Sequence, residues 1–541
     1  RPPRSTLFPY TTLFRSLMLD LGVEIYILEK YQDVGELCNL IQYLSKGAMC
    51  AIFNELSFPV TIILEKNYVD RLYRDAYYSY FSNKHFDMPR NCQRLAMFQG
   101  TFEYQDFLLG NDTVKHKKIQ DAFIGTIVIK PTPIIHSNCT MGRTLLSPQM
   151  MHLPKCYIRT TKFNVSILGA EYEIEAFPFT GQDGEVMTCA ETCIWEILEY
   201  FGTRYPDYKT VLPNDIIAKL NSISQERILP SEGLTFLQMS DLLKAFGFEP
   251  RLYARKSYEN VEQKCLTKSY NNSNLSVFRK FFHYYVESAI PLIVGVGDSV
   301  HEEHAVVCIG HGKKDYTLRN IEIKTVGNLK IVDTASFYKD YVIIDDNQIP
   351  YRLEEFDHFA KNKHMKVQFL AVPLYKHIFL EVNGALEIVN NFFEAYSSDI
   401  ENMLKDMNLL KYNSEPLVMR LFLTTSRNFK KFRIRKAKTM EERLLYSEMK
   451  YPKFIWVCEF STFFTYTREK KVVGEIVLDA TASGEAVFDS IIAVRIGKYN
   501  GYREAFENIE CLFRRLEDYV ESYSTKYPLY RNNLKKGGFK E

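Results

Sequence analysis

Apolar residues along the chain fall into two rhythms. Short β-rich runs, VEIYIL, VTIILE, FIGTIVIK and FNVSIL, are separated between residues 17 and 180 by stretches with helical spacing, DVGELCNLIQYLSKG and YVDRLYRDAYYSYFSNK. That alternation predicts an α/β domain over 17–180. Between 181 and 360 a helix, a second helical segment TFLQMSDLLKAFGF and the β runs IPLIVGVG, EHAVVCIGHG, NLKIVDT and DYVIIDD predict a middle domain. From 375 to 541 a long helical pattern, ALEIVNNFFEAYSSDIENMLKDM, leads into VMRLFLTT, FIWVCEFSTFF and GEIVLDA and a closing helix YREAFENIECLFRRLEDYVESY. This predicts a third, α+β domain. The polar segment ENVEQKCLTKSYNNSNLS reads as a loop inserted in the middle domain.

The first sixteen residues fit no such rhythm. STLFPYTTLFRS holds two near-copies of Thr-Leu-Phe, and residues 1–16 resemble a sequencing-library adapter translated in one frame. They are set aside as an artefact. The remaining stretch of about 525 residues exceeds one hydrophobic core and predicts about three domains. With 25% charged residues and a formal net charge of +2, bulk charge offers no basis for binding nucleic acid or a membrane surface. No run of eighteen apolar residues predicts a spanning helix. Eleven scattered cysteines, with Cys189 and Cys193 the one close pair, match neither a zinc site nor a disulfide framework. A reducing, cytoplasmic setting is expected. The basic run RNFKKFRIRKAK (427–438) reads as an edge strand with a solvated face, not a nucleic-acid surface.

The stretch TCAETCIWEILEYFG states a helix start explicitly. Thr188 and Glu191 stand in capping-box relation, Gly202 marks the stop, and Ala190, Ile194, Ile197, Leu198 and Phe201 form one apolar stripe. Trp195 points off that stripe, toward a neighbouring domain, and Cys193 is a packing residue. Cys189 falls at the first helical position, where unpaired N–H groups and the helix dipole favour thiolate over thiol, although Glu191 opposes this. A small buried cysteine at a helix start is the plainer alternative.

A second constellation favours the reactive reading. Gln182 precedes Cys189 by seven residues; His304 opens the β run HAVVCIGHG; YVIIDDN ends a further β run in Asp345 and Asp346. This order resembles papain-like cysteine peptidases, and most nearly the branch that processes bacteriocins by cleaving double-glycine leaders. CAETCIWEILEYFG resembles that branch's catalytic helix apart from Ala190 and Glu191, HAVVCIGHG its histidine strand, and SEGLTFLQMSDLLKAFGFEPRLY its intervening helix and strand. The resemblance covers residues 181–360. It implies an α+β fold whose papain-like middle domain sets an N-terminal catalytic helix against an antiparallel sheet.

By that resemblance Cys189 is the nucleophile, His304 the proton carrier and Asp345 its orienting carboxylate. Gln182, with the Cys189 N–H, supplies the oxyanion hole. Asp346, which points to the other side if the strand persists, and Asp333 in KIVDT remain alternatives for the carboxylate. The Gln182 to Cys189 spacing is one longer than usual in the family, so the amide reaches the site only if the chain bulges near Gly184. A metal reading of His301, Glu303 and His304 lacks the helical i, i+4 geometry of a zincin, and His311 belongs to a Gly-His-Gly turn. The implied chemistry is hydrolysis of a peptide or amide bond in a peptide or protein substrate, through a thioester and without cofactor. An acyltransferase or deamidase with the same first step, and an inactive peptide-binding or scaffolding frame, are the alternatives.

Overall fold

The computed structural model describes residues 22–41, 46–108, 112–132, 141–255, 268–269, 275–297, 304–317, 321–359, 365–410, 415–482, 489–503, 508–510, 512 and 523–538. The architecture is mixed α+β and is built mainly on antiparallel sheets. The first sheet is a meander of Val23–Leu28, Val60–Tyr68, Cys92–Gln99, Phe123–Ile129 and Leu145–Leu146, each strand antiparallel to the last. A hairpin, Thr161–Ile167 with Ala170–Ala176, alternates strictly: Phe163, Val165 and Ile167 are buried, and Lys162, Asn164 and Ser166 are exposed. The period of two lets it cover the meander on one face while the other stays in water.

The central sheet positions the site. Its order is Lys268–Ser269, Arg251–Ala254, Lys366–Val372, Leu292–Gly297, His304–His311, Asp340–Ile344 and Arg352–Glu355, with Cys156–Ile158 and Lys535–Gly537 added beside the His304 strand. Continuous apolar runs such as HAVVCI arise because both faces are covered. Ala305, Val307 and Ile309 join the core beneath the helix Cys189–Arg204, whereas Val306 and Cys308 join the core of the helix Leu275–Glu287. The Cys189 helix is enclosed all round from Ala190 to Phe201, so its apolar stripe is only part of what it buries.

A third sheet of Ile323–Val326, Leu329–Asp333, Leu417–Thr425, Phe454–Thr462, Gly474–Asp479, Ile491–Ile496 and Tyr499–Tyr502 completes the described layers. Its first two strands lie within 181–360, yet Leu329–Asp333 pairs in parallel with Leu417–Thr425. Conversely, Cys156–Ile158 and Lys535–Gly537, from outside that range, extend the central sheet. Sheet membership therefore links segments on either side of residues 181 and 360.

Several local expectations are corrected. The basic run is a helix, Ser426–Lys436, because Phe429, Phe432 and Arg433 recur at i, i+3 and i+4 and are all buried, while Thr425 Oγ1 accepts from Asn428 N at 3.4 Å to cap it. Gly202 does not stop the Cys189 helix, which runs to Arg204. Its missing side chain instead lets residues 209 and 210 approach, and a Cβ there would lie 2.4 Å from the Thr210 nitrogen. Trp195 is buried in its own core and donates through Nε1 to the Val211 carbonyl at 3.2 Å. The long helical pattern breaks at Tyr396 into Val382–Ala395 and Ser397–Asp406. The closing helix and the inserted loop fall largely outside the described residues. Among those described, no helix is long and apolar enough to cross a membrane, and the eight cysteines are free thiols.

Candidate functional site

The approach to Cys189 is a folded turn. Asp183 Oδ1 accepts from the backbone nitrogens of Glu185, Val186 and Met187 at 3.0, 2.8 and 3.0 Å, and Asp183 N donates back to the Met187 carbonyl at 3.0 Å. Gly184, at φ +73°, takes the left-handed conformation that closes this loop. Upstream, the buried Lys130 ammonium donates to the Gly181 carbonyl at 2.5 Å, tying the segment to the first sheet.

One half of the capping box forms, the Glu191 carboxylate reaching back to Thr188. Thr188 N donates to Glu191 Oε2 at 3.3 Å, the Thr188 hydroxyl bonds the same oxygen, and Ser231 Oγ donates to Glu191 Oε1. Cys189 is the first helical residue and is half-buried. Burial holds the Glu191 carboxyl above the usual carboxylate range, with the Ser231 and Thr188 bonds working the other way. Cys193, one turn on, is fully buried, and its thiol is pushed well up by burial and by Glu196. It serves as packing.

His304 meets its partners because of strand register. Val307 pairs with Ile344, and continuing that antiparallel register past the end of Asp340–Ile344 brings His304 opposite residues 345–347. The strand stops at Ile344 and the chain turns, with Gln348 N donating to the Asp345 carbonyl at 3.0 Å. Alternation therefore fails here, and consecutive side chains converge. His304 Nε2 lies 2.9 Å from Asp345 Oδ1, 3.4 Å from Asp346 Oδ1 and 3.4 Å from Asn347 Nδ2. Nε2 faces the carboxylates, and the Cys189 side chain is near enough to the ring to favour its charged form.

The electrostatics follow from that packing. Burial works against charge on His304, but the hydrogen bonds to Asp345 and Cys189 and the charges of Asp346 and Asp345 raise its pKa from 6.5 to about 11. The imidazolium is thus the favoured form at neutral pH. Burial pushes Asp346 up to about 7, against the pull of His304, and both its oxygens lack a hydrogen-bond donor. Behind it, burial drives Glu196 well above the carboxylate range, although Thr180 N donates to its Oε1 at 3.2 Å.

The sequence candidates divide clearly. Cys189, His304 and Asp345 come together, and Asp346 joins them from the same side, contrary to the alternation expected of a continuing strand. Gln182 is also present, its Nε2 donating to Asn347 Oδ1 at 2.8 Å. Asp333 is elsewhere: it caps the turn after its strand by accepting from Ala335 N at 2.8 Å, and it bonds the Tyr284 hydroxyl. His311 is not in a surface turn but ends the His304 strand, buried, with Nε2 3.3 Å from Glu287 Oε1. His301 and Glu303 lie outside the described residues. Asn347 is the participant that sequence reasoning missed; its signal was its place directly after the paired aspartates.

One ligand atom each from His304, Asp345 and Asp346 lies within 4.8 Å of the others, a spacing that would suit a cation. Such an ion needs the Nε2 lone pair, whereas the bond to Asp345 needs a proton on that nitrogen. The two uses exclude each other. No protein-family model matches the chain, and no curated protein matches it. The reading of the site therefore rests on its own residues and geometry.

Proposed function

We propose that the chain is a thiol-dependent hydrolase of papain-like type that cleaves a peptide or amide bond through a thioester on Cys189. The observation that carries this reading is the position of His304, whose Nε2 lies 2.9 Å from Asp345 Oδ1 while Cys189, at a helix N-terminus, is near enough to the ring to favour its charged form. A cysteine that merely packs has no use for either partner.

The arrangement supports a balanced sequence of steps. The thiolate of Cys189 attacks the carbonyl carbon, forming a C–S bond and pushing the carbonyl electron pair onto oxygen, where the Cys189 N–H and the Gln182 amide receive it. Collapse breaks the C–N bond, and the His304 imidazolium gives its proton to the departing amine. The imidazole then takes a proton from water, whose oxygen attacks the thioester. The C–S bond then breaks, releasing the acid and returning the Cys189 thiolate beside the His304 imidazolium. Asp345 holds the ring and stabilises its charged form throughout.

Thiol reactivity tests the reading. Native protein treated with iodoacetamide at neutral pH is expected to label Cys189 faster than any other cysteine, and Cys189→Ala is expected to lose that label while staying folded. Labelling no faster than that of the buried thiols overturns the proposal.

A further inference from the structure

Three consecutive side chains, Asp345, Asp346 and Asn347, surround one nitrogen of His304, and the third also touches Gln182. In a thiol mechanism Nε2 carries a hydrogen at every stage. It donates to Asp345 when the ring is neutral, with Nδ1 facing the thiol, and it still donates when the ring is charged. An Asn347 NH2 group 3.4 Å from Nε2 sets donor against donor. A half-turn of the amide removes the conflict by presenting Oδ1 to the ring N–H at the same place, because the two ends of an amide are nearly equal in shape. Asn347 Nδ2 then faces Gln182. The 2.8 Å contact between the two amides survives only if Gln182 turns as well and accepts through Oε1.

We propose that Asn347 is a positioning residue that fixes the orientation of the Gln182 amide, so that Gln182 receives a hydrogen bond through its oxygen and keeps its NH2 group for the oxyanion. The inference rests on the reading of Cys189 as the acyl-accepting thiol. It accounts for two features together. The bulge at Gly184 brings Gln182 to Asn347, and the turn after Ile344 brings Asn347 to His304, so the oxyanion donor and the base are aligned by one side chain. Asn347 is itself held, since its backbone nitrogen donates to Asp345 Oδ1 at 3.0 Å.

Asn347→Asp separates this role from a structural one. A carboxylate only accepts, so it keeps the ring N–H as a partner but forces the Gln182 NH2 to turn inward. Two probes of the full chain read the result. Burst acylation of Cys189 by p-nitrophenyl acetate builds an oxyanion, whereas alkylation by iodoacetamide does not. The ratio of the two rate constants is expected to fall at least about tenfold in Asn347→Asp and in Gln182→Ala, with no further fall in the double variant. Asn347→Ala, which removes the anchor without adding charge, is expected to lower the ratio at least about threefold, and it decides the matter if the aspartate variant does not fold. A ratio unchanged by Asn347 variants while Gln182→Ala lowers it overturns the inference alone. Absence of Cys189 acylation in the unaltered protein overturns the thiol reading and this inference with it.

Discussion

Asp346 Oδ1 lies 3.4 Å from His304 Nε2, and neither oxygen of this buried carboxylate has a hydrogen-bond donor. A carboxylate so placed stabilises the imidazolium but is itself costly to ionise.

Stability should register that cost. Burial raises Asp346 from 3.8 to about 7, so its protonated form is the one the fold favours, and the stabilisation is complete below about 3.8 and lost as pH rises through about 7. Asp346→Asn keeps the uncharged shape. Its melting temperature is expected to exceed that of the unaltered protein by about 3–6 °C at pH 8, with the gain shrinking toward zero at pH 4. A difference that does not vary with pH contradicts the burial argument.

His304 should control the thiol. In the proposed mechanism its charged form, favoured by Asp345 and Cys189, faces the sulfur. In His304→Ala the rate constant for alkylation of Cys189 by iodoacetamide at pH 7 is expected to fall at least about tenfold, and to recover as pH rises toward the range where an ordinary cysteine ionises, about 8.5. Stopped-flow or quench labelling across pH 6 to 10 measures both limbs; a variant as reactive as the parent at pH 7 removes His304 from the site.

Two aspartates that look alike in sequence should behave differently. Asp345→Ala is expected to slow acylation of Cys189 by p-nitrophenyl acetate about 100-fold, because the ring loses its orienting acceptor. Asp333→Ala, which strips Ala335 N and the Tyr284 hydroxyl of their acceptor, is expected to leave the rate within about twofold while lowering the denaturation midpoint. Equal slowing by both variants is incompatible with the site as described.

The helix Ser426–Lys436 makes a stability prediction of its own. Arg433 is buried and bonds Glu459 and Glu475, each at 2.6 Å, whereas Arg435 is exposed. Arg433→Ala leaves two buried carboxylates short of a partner and is expected to cost about 3–5 kcal/mol in urea unfolding, against less than about 0.5 for Arg435→Ala. Matching losses would fit a solvated edge strand instead.

What the amino-acid sequence determined by itself was local. Thr188 and Glu191 wrote the helix start and so put Cys189 at the positive end of the dipole, because a capping box needs only residues three apart. The apolar runs located Leu292–Gly297, His304–His311 and Asp340–Ile344, since strand burial imprints its own pattern. Everything that depended on where an element ends, or on which distant strand it meets, was decided by tertiary structure. Asp345 and Asp346 share one nitrogen because the strand stops at Ile344, which no spacing records. Asn347 enters the site through a register set 40 residues away on the His304 strand. Leu329–Asp333 lies outside the central sheet, paired in parallel with a strand beyond residue 416, and Phe429, Phe432 and Arg433 turn a charged run into a helix with one buried face because Glu459 and Glu475 wait on other strands. Local propensity is a sum over neighbours in sequence, whereas pairing and ion-pair burial are contacts between neighbours in space.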